Sequence, residues 1–250
     1  MTGPNLSYDY FIVGDTWPYT YQELILPDGG RVRYDRISAG TSFSDAVYQN
    51  SSGGAKYFGS TIRYVGISWE LKLKDGTTFI FADEERNSNP RRGAVREIRD
   101  RFGNALVIER DSVGNLTQIT SPSGRYVQFI YNASDRITQA NDNLGRTLSY
   151  GYDIDGRLIK ATDPAGKFEA YTYDANHNML TVQDKSGKLM VTNVYDVNSR
   201  VSQQTYHSYD ALERLVSTTY ANGSTVGTSY DTANRPTQFA DSASGTVTLA

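Results

Sequence analysis

Residues Arg146 to Asp184 read RTLSYGYDIDGRLIKATDPAGKFEAYTYDANHNMLTVQD. One motif occurs twice: Tyr152-Asp153 returns as Tyr173-Asp174 after 21 residues, and Asp163-Pro164-Ala165-Gly166 places a second turn signal between them. Two turns per unit imply two strands per unit. The residues between turns are enough for a short strand and too few for a stable helix.

The beat extends well outside this stretch. The residues that open successive turns are Asp100, Asp111, Ser121, Asn132, Asp142, Asp153, Asp163, Asp174 and Asp184, with spacings that alternate between 11 and 10. That alternation predicts a repeat of about 21 residues over 96–250, an antiparallel β-strand array in an all-β chain. Asp at the first turn position can accept hydrogen bonds from backbone N–H groups two or three residues on, and Gly three residues on accepts a left-handed backbone. Gly156 and Gly166 stand in that place. The tyrosines ahead of the turns, Tyr131, Tyr152, Tyr173, Tyr195, Tyr209 and Tyr230, recur in phase and predict a ladder of buried, mutually stacked rings. A lone hairpin of this size is unstable in water, so each unit must pair with its neighbours.

The beat breaks once. Asp196 follows Asp184 by 12 residues, Asp210 follows by 14 more, and Asp231 closes the series of Tyr-Asp turns. Either a half-unit is lost between 196 and 210, which reverses the sense of the strands, or the disturbance is local. Beyond it Ser199, Glu213 and Asn234 replace the turn glycine, and Asn222-Gly223 supplies the alternate turn.

Residues 1–95 are β-like without a period, a hairpin-rich lead-in. Asp28-Gly29 and Asp75-Gly76 each sit between alternating apolar residues, a strong hairpin signal. In the second hairpin Trp69, Leu71 and Leu73 share one face and Phe79 and Phe81 share one face of the partner strand, so both faces need cover. The loop Asn87 to Gly93 is the expected boundary.

Composition narrows the function. With 25 Lys plus Arg against 28 Asp plus Glu, the net charge is −3 and no basic face is indicated, which argues against a nucleic-acid partner. Cysteine is absent, so disulfides and thiolate metal sites are unavailable. The opening MTGPNLSYDYFIVGDTW has no basic segment ahead of an apolar one, so neither a signal peptide nor a membrane span is expected. The last residues, Gly245 to Ala250, read as a strand after a turn, as in a piece of something longer.

Candidate chemistry is sparse. Only His177 and His207 could serve as a base for a nucleophile, and His177 occupies a turn-glycine position. Asp174, Asn176 and Asn178 imitate the first ligands of a calcium loop, but Met179 stands where Gly is required and Lys185 where a bidentate Glu belongs. No carboxylate pair is singled out for glycoside hydrolysis. No catalytic residue, cofactor or metal is expected.

The motifs Tyr152-Asp-Ile-Asp-Gly156-Arg-Leu, Thr162-Asp-Pro-Ala-Gly166-Lys, Ala170-Tyr-Thr-Tyr-Asp174 and Asn143-Leu-Gly-Arg146 resemble those of the YD-repeat, or Rhs, proteins of bacteria. The resemblance covers roughly 96–250 and implies a strand ribbon that spirals into a hollow shell. In bacterial members that shell encloses a toxin domain; related repeats occur in insecticidal toxin complexes and in animal cell-surface adhesion proteins. It implies a non-catalytic shell segment whose partners are an enclosed toxin or effector polypeptide and further shell repeats, and a secreted or cell-surface parent protein. The alternative is a carbohydrate- or receptor-binding adhesion module that presents exposed tyrosines. Asp163-Pro164-Ala165-Gly166 matches the letters found near the self-cleavage site of such shells, yet continues as an ordinary repeat, so no autoproteolysis is carried over.

Overall fold

A computed structural model of the chain describes residues 9–15, 17–52, 54–83 and 93–249, which contain 22 strands and no helix. The loop expected to mark a boundary, 87–93, lies outside the described residues except for Gly93. By compactness the chain forms two units, Met1–Arg146 and Thr147–Ala250.

The first unit holds β1 (Phe11–Gly14), β2 (Tyr21–Ile25), β3 (Arg31–Arg36), β4 (Val47–Gln49), β5 (Thr61–Val65) and β6 (Ser68–Lys72). It continues with β7 (Thr78–Ala82), β8 (Val95–Arg99), β9 (Ala105–Arg110), β10 (Leu116–Thr120), β11 (Tyr126–Tyr131) and β12 (Ile137–Asp142). Each strand pairs antiparallel with the next, as in Leu24↔Val32, Leu71↔Phe79 and Ile119↔Val127. Both Asp-Gly hairpins form where the sequence places them, as β2–β3 and β6–β7.

Alternation along these strands puts one face in a shared core. Trp69, Leu71, Leu73, Phe79 and Phe81 are buried together with Ile12, Leu24, Tyr34, Tyr48 and Ile62. The Trp69 ring meets Tyr48 at 5.9 Å and Tyr64 at 5.3 Å, and its indole N–H donates to Asp83 at 2.6 Å. Full burial of each large apolar side chain contributes about 1.5–3 kcal/mol. The core also takes in Ile108 and Leu116, with Ile119 and Phe129 packed against it. The first repeats are therefore built onto the lead-in, and the compact unit runs past 95 to Arg146.

The second unit holds β13 (Thr147–Tyr152), β14 (Leu158–Thr162), β15 (Phe168–Tyr173), β16 (Met179–Gln183), β17 (Leu189–Tyr195) and β18 (Val201–Tyr209). It ends with β19 (Leu215–Tyr220), β20 (Thr225–Tyr230), β21 (Pro236–Asp241) and β22 (Gly245–Thr248), again antiparallel from one strand to the next. Its packing differs in kind. Among the described residues of this unit only Asn193 and Thr205 are buried, both polar, and no apolar side chain is. This part is a sheet one layer thick.

Candidate functional surface

One loop geometry recurs at the turns that open at Asp153 through Asp231. In each of these the opening residue donates its N–H to the carbonyl four residues on and accepts at its own carbonyl from the N–H three residues on, as at Asp153 (3.0 and 3.0 Å), Asp163 (2.8 and 2.9 Å) and Asp174 (3.0 and 3.2 Å); the Asp241 turn differs, with positive φ at Gly245. The residue three after the opener has positive φ: Gly156 at 77°, Gly166 at 82°, His177 at 66°, Ser199 at 58°, Glu213 at 67° and Asn234 at 65°. This is a type I turn followed by a left-handed bulge residue. The Asp carboxylate fixes it by accepting backbone N–H bonds two and four residues on, not two or three; Asp174 Oδ1 takes Asn176 N–H at 2.8 Å and Asn178 N–H at 2.9 Å. Asp174 Oδ1, first of the oxygens that imitate a calcium loop, is thus turned onto its own backbone, and Asp174 Oδ2 accepts from the Asn178 amide at 3.0 Å. Among the described residues no cluster of three or more metal-ligating side chains occurs.

The tyrosines do not form the expected ladder of buried rings. Tyr131, Tyr152, Tyr173, Tyr195, Tyr209 and Tyr230 are all half-buried. Five of their hydroxyls complete the sheet. Tyr173 donates to Leu158 O at 2.9 Å, Tyr195 to Met179 O at 2.9 Å, Tyr209 to Leu189 O at 3.0 Å, Tyr230 to Leu215 O at 2.9 Å, and in the first unit Tyr131 to Leu116 O at 2.7 Å. Each acceptor is the first strand residue after a turn. There the strands part: the β14–β15 register begins at Lys160↔Ala170 and leaves Leu158 outside it. The hydroxyl supplies the donor that the neighbouring backbone no longer provides.

Cations cover several of these rings. The guanidinium of Arg157 lies 5.3 Å from the Tyr173 centroid, that of Arg214 4.6 Å from Tyr230, and the Lys188 ammonium 5.0 Å from Tyr209. Arg157 also donates from Nε to Asp153 at 2.6 Å and from Nη1 to Asp174 O at 2.6 Å, so one side chain ties two successive Tyr-Asp turns. Arg214 repeats this between Asp210 (2.7 Å) and the next turn, through Asn234 Oδ1 at 2.9 Å.

These links settle the irregularity at 196–210. On one rim of the second unit the turns at Asp153, Asp174 and Asp196 are joined by Arg157 to Asp174 O and by Asn178 to Ser199 Oγ at 3.3 Å. On the opposite rim Lys185 joins Asp163 at 3.0 Å, and Lys188 reaches Glu213, in the Asp210 turn, at 3.3 Å. Tyr195-Asp196 therefore lies on the first rim and Tyr209-Asp210 on the second, separated by the single nine-residue strand β18. A half-unit is missing, and from Tyr209 onward, including Tyr230-Asp231, the Tyr-Asp turns occupy the rim that Asp163 and Asp184 held before.

His177 is an exposed bulge residue. His207 Nδ1 lies 3.4 Å from Thr218 Oγ1 across the β18–β19 pair, and its Nε2 is buried with no hydrogen-bond partner. No helix among the described residues is long and apolar enough to cross a membrane.

Comparison with known proteins agrees with the repeat. The family model described as RHS Repeat matches residues 110–147, 131–167, 152–189 and 209–247. The gap falls on β17 and most of β18, and the match resumes at Tyr209, where the rim changes. No curated protein matches the chain. Among solved structures, the Photorhabdus luminescens Tc holotoxin pore is 16% identical with a TM-score of 0.49, the alignment covering 91% of this chain and 14% of that one. A TcdB2–TccC3 structure is also 16% identical (TM-score 0.45, 91% and 14% covered), and a TcdB2–TccC3–Cdc42 structure is 12% identical (TM-score 0.41, 88% and 14% covered). The chain spans 14% of the length of those proteins.

Proposed function

The chain belongs to the Rhs-repeat family, and from this we propose that it is a non-catalytic wall segment of an Rhs-type shell that encloses or presents an effector polypeptide. The observation that carries the reading is the sheet of the second unit, in which no described apolar side chain is buried. A sheet one layer thick with both faces half-covered is a wall and not a self-contained core. The Asp and Arg side chains of its turns and the hydroxyls of Tyr173, Tyr195, Tyr209 and Tyr230, which would be raw material for a catalytic site, are engaged in turns and inter-strand bonds. The mechanism is steric: a continuous strand ladder, braced at its rims, keeps an enclosed polypeptide from solvent and proteases. The parent protein then acts outside the cell that makes it.

The test is co-expression of the chain, within its parent reading frame, with the polypeptide encoded next to it. Co-elution and survival of that polypeptide at trypsin doses that digest it alone is the expected result. Digestion at the free rate overturns the shell reading. Binding to a glycan array that is lost on Tyr206→Ala or Phe239→Ala, without any polypeptide partner, would replace it with a carbohydrate-binding surface.

A further inference from the structure

The lost half-unit leaves a step in the sheet. Thr205 of β18 pairs with Tyr220, the last residue of β19, so Val201–Gln204 run on past the end of their neighbour. Those residues remain paired with β17, at Tyr195↔Val201, Val194↔Gln203 and Asn193↔Gln204. On the other side, among the described residues, no strand pairs with them. The open length is about 13 Å at about 3.3 Å per residue, and the turn Tyr220–Ser224 lies at its inner end.

Val201 is the first strand residue after a turn, the place held by Leu158, Met179, Leu189 and Leu215. At each of those a tyrosine hydroxyl from a following strand takes the carbonyl. At Val201, among the described residues, no tyrosine does, because β19 stops short at Tyr220. The step therefore lacks two things that an ordinary unit supplies: a length of antiparallel backbone and a phenolic hydroxyl just beyond it.

We propose that this step is a strand-acceptor site, filled by an extended segment of a partner polypeptide that pairs antiparallel with Val201–Gln204 and places a tyrosine hydroxyl on Val201 O. Only an extended backbone satisfies a row of unpaired ladder groups. The side chains of Val201, Ser202, Gln203 and Gln204 carry no charge, so the segment is uncharged where it pairs. Val201 is 51% exposed, which leaves room for it. The inference rests on the step and not on the shell reading, and it holds for a partner on either side of a wall.

The ordinary unit also provides the probe. Ala170 pairs with Lys160, the counterpart of Gln203, and Tyr173 caps Leu158, the counterpart of Val201. A synthetic peptide with the sequence of Glu169–Asp174 and the change Glu169→Gln, so that no charge faces Gln204, is added to the full chain, and backbone amide exchange is followed residue by residue. Amides of Val201–Gln204 that face the step are expected to exchange freely in the chain alone and to slow by about tenfold or more with peptide at millimolar concentration. A peptide with Phe in place of its last tyrosine is expected to bind more weakly, and one with alternate prolines to give no protection. No slowing by the peptide overturns the site. So does slowing confined to β22, which among the described residues pairs only with β21. Protection that appears without peptide and grows with protein concentration overturns it too, since a second copy of the chain then fills the step.

Discussion

Arg157 donates from Nη1 to the main-chain oxygen of Asp174, 2.6 Å away, while its Nε holds Asp153 at 2.6 Å. One guanidinium thus reads both the turn it belongs to and the next turn along the rim. Its planar fork makes both bonds at once over the face of Tyr173, which a lysine cannot do. Arg157→Lys is expected to keep the charge near Asp153 and lose the link to Asp174 O, at a cost of about 1 kcal/mol. Arg146→Lys is the control, because Arg146 is exposed and hydrogen-bonds its own turn at Asp142. Urea melts of the two variants should separate, with Arg146→Lys close to wild type.

Tyr173→Phe keeps the ring under Arg157 and removes only the hydroxyl on Leu158 O. Because β14 and β15 have parted there, no neighbouring N–H replaces it. The expected cost is about 0.5–1.5 kcal/mol, and amide exchange should quicken locally at the turn end of β14. Tyr206→Phe is the comparison, since Tyr206 is exposed and its hydroxyl donates to the Gln204 side chain and not to a main-chain carbonyl, and no measurable loss is expected. Equal effects of the two would refute the role assigned to the turn tyrosines.

From Asp100 to Asp184 the turns were legible residue by residue: the residue that opens each one and the residue that takes positive φ stand where the spacing puts them. So were the two Asp-Gly hairpins and the apolar face from Trp69 to Phe81. The tyrosines were legible in phase but not in partner, because periodicity does not reveal that strands part beside a turn and leave a carbonyl for a hydroxyl to meet. Ile108, Leu116 and Phe129 look like any later repeat residues, and only packing shows them on the N-terminal core. The rim change was left open because spacings of 12 and 14 fit either a lost half-unit or a bulged strand. The side-chain links from Lys188 to Glu213 and from Asn178 to Ser199 decide it.

Acid should loosen the turns of the repeats. Asp174 is held below the ordinary carboxylate value of 3.8 first by the Asn178 amide and then by the N–H groups of Asn178 and Asn176. Asp196, Asp210 and Asp231 are held low by backbone N–H bonds from Arg200, Arg214 and Arg235 and then by those guanidiniums. A carboxylate whose folded pKa is depressed contributes stability that is complete above 3.8, declines as pH falls through that value, and is gone below the folded pKa. Thermal melts by circular dichroism between about pH 5 and pH 2 should show the midpoint falling across the lower part of this range. Asp174→Asn, which retains the acceptor for both backbone N–H groups and cannot titrate, should flatten part of that fall. An unchanged pH profile would separate these carboxylates from stability.

The residue at the bulge position decides the last expectation, because His177 at φ 66° stands in a backbone that most repeats give to glycine. A left-handed backbone costs a side-chain-bearing residue roughly 1–2 kcal/mol relative to glycine, of which up to about 1 kcal/mol is returned by the greater freedom of glycine in the unfolded chain. His177→Gly is therefore expected to stabilise the chain slightly, by about 0.5 kcal/mol. Asn234→Gly should gain less, because asparagine tolerates this conformation better than other residues do. The reverse change, Gly156→Val, puts a β-branched residue at φ 77° and should destabilise by about 1–3 kcal/mol. Chemical denaturation of the three variants orders them. A loss of stability in His177→Gly would mean that the imidazole holds the turn by a contact of its own, and would reopen the question of what that side chain does.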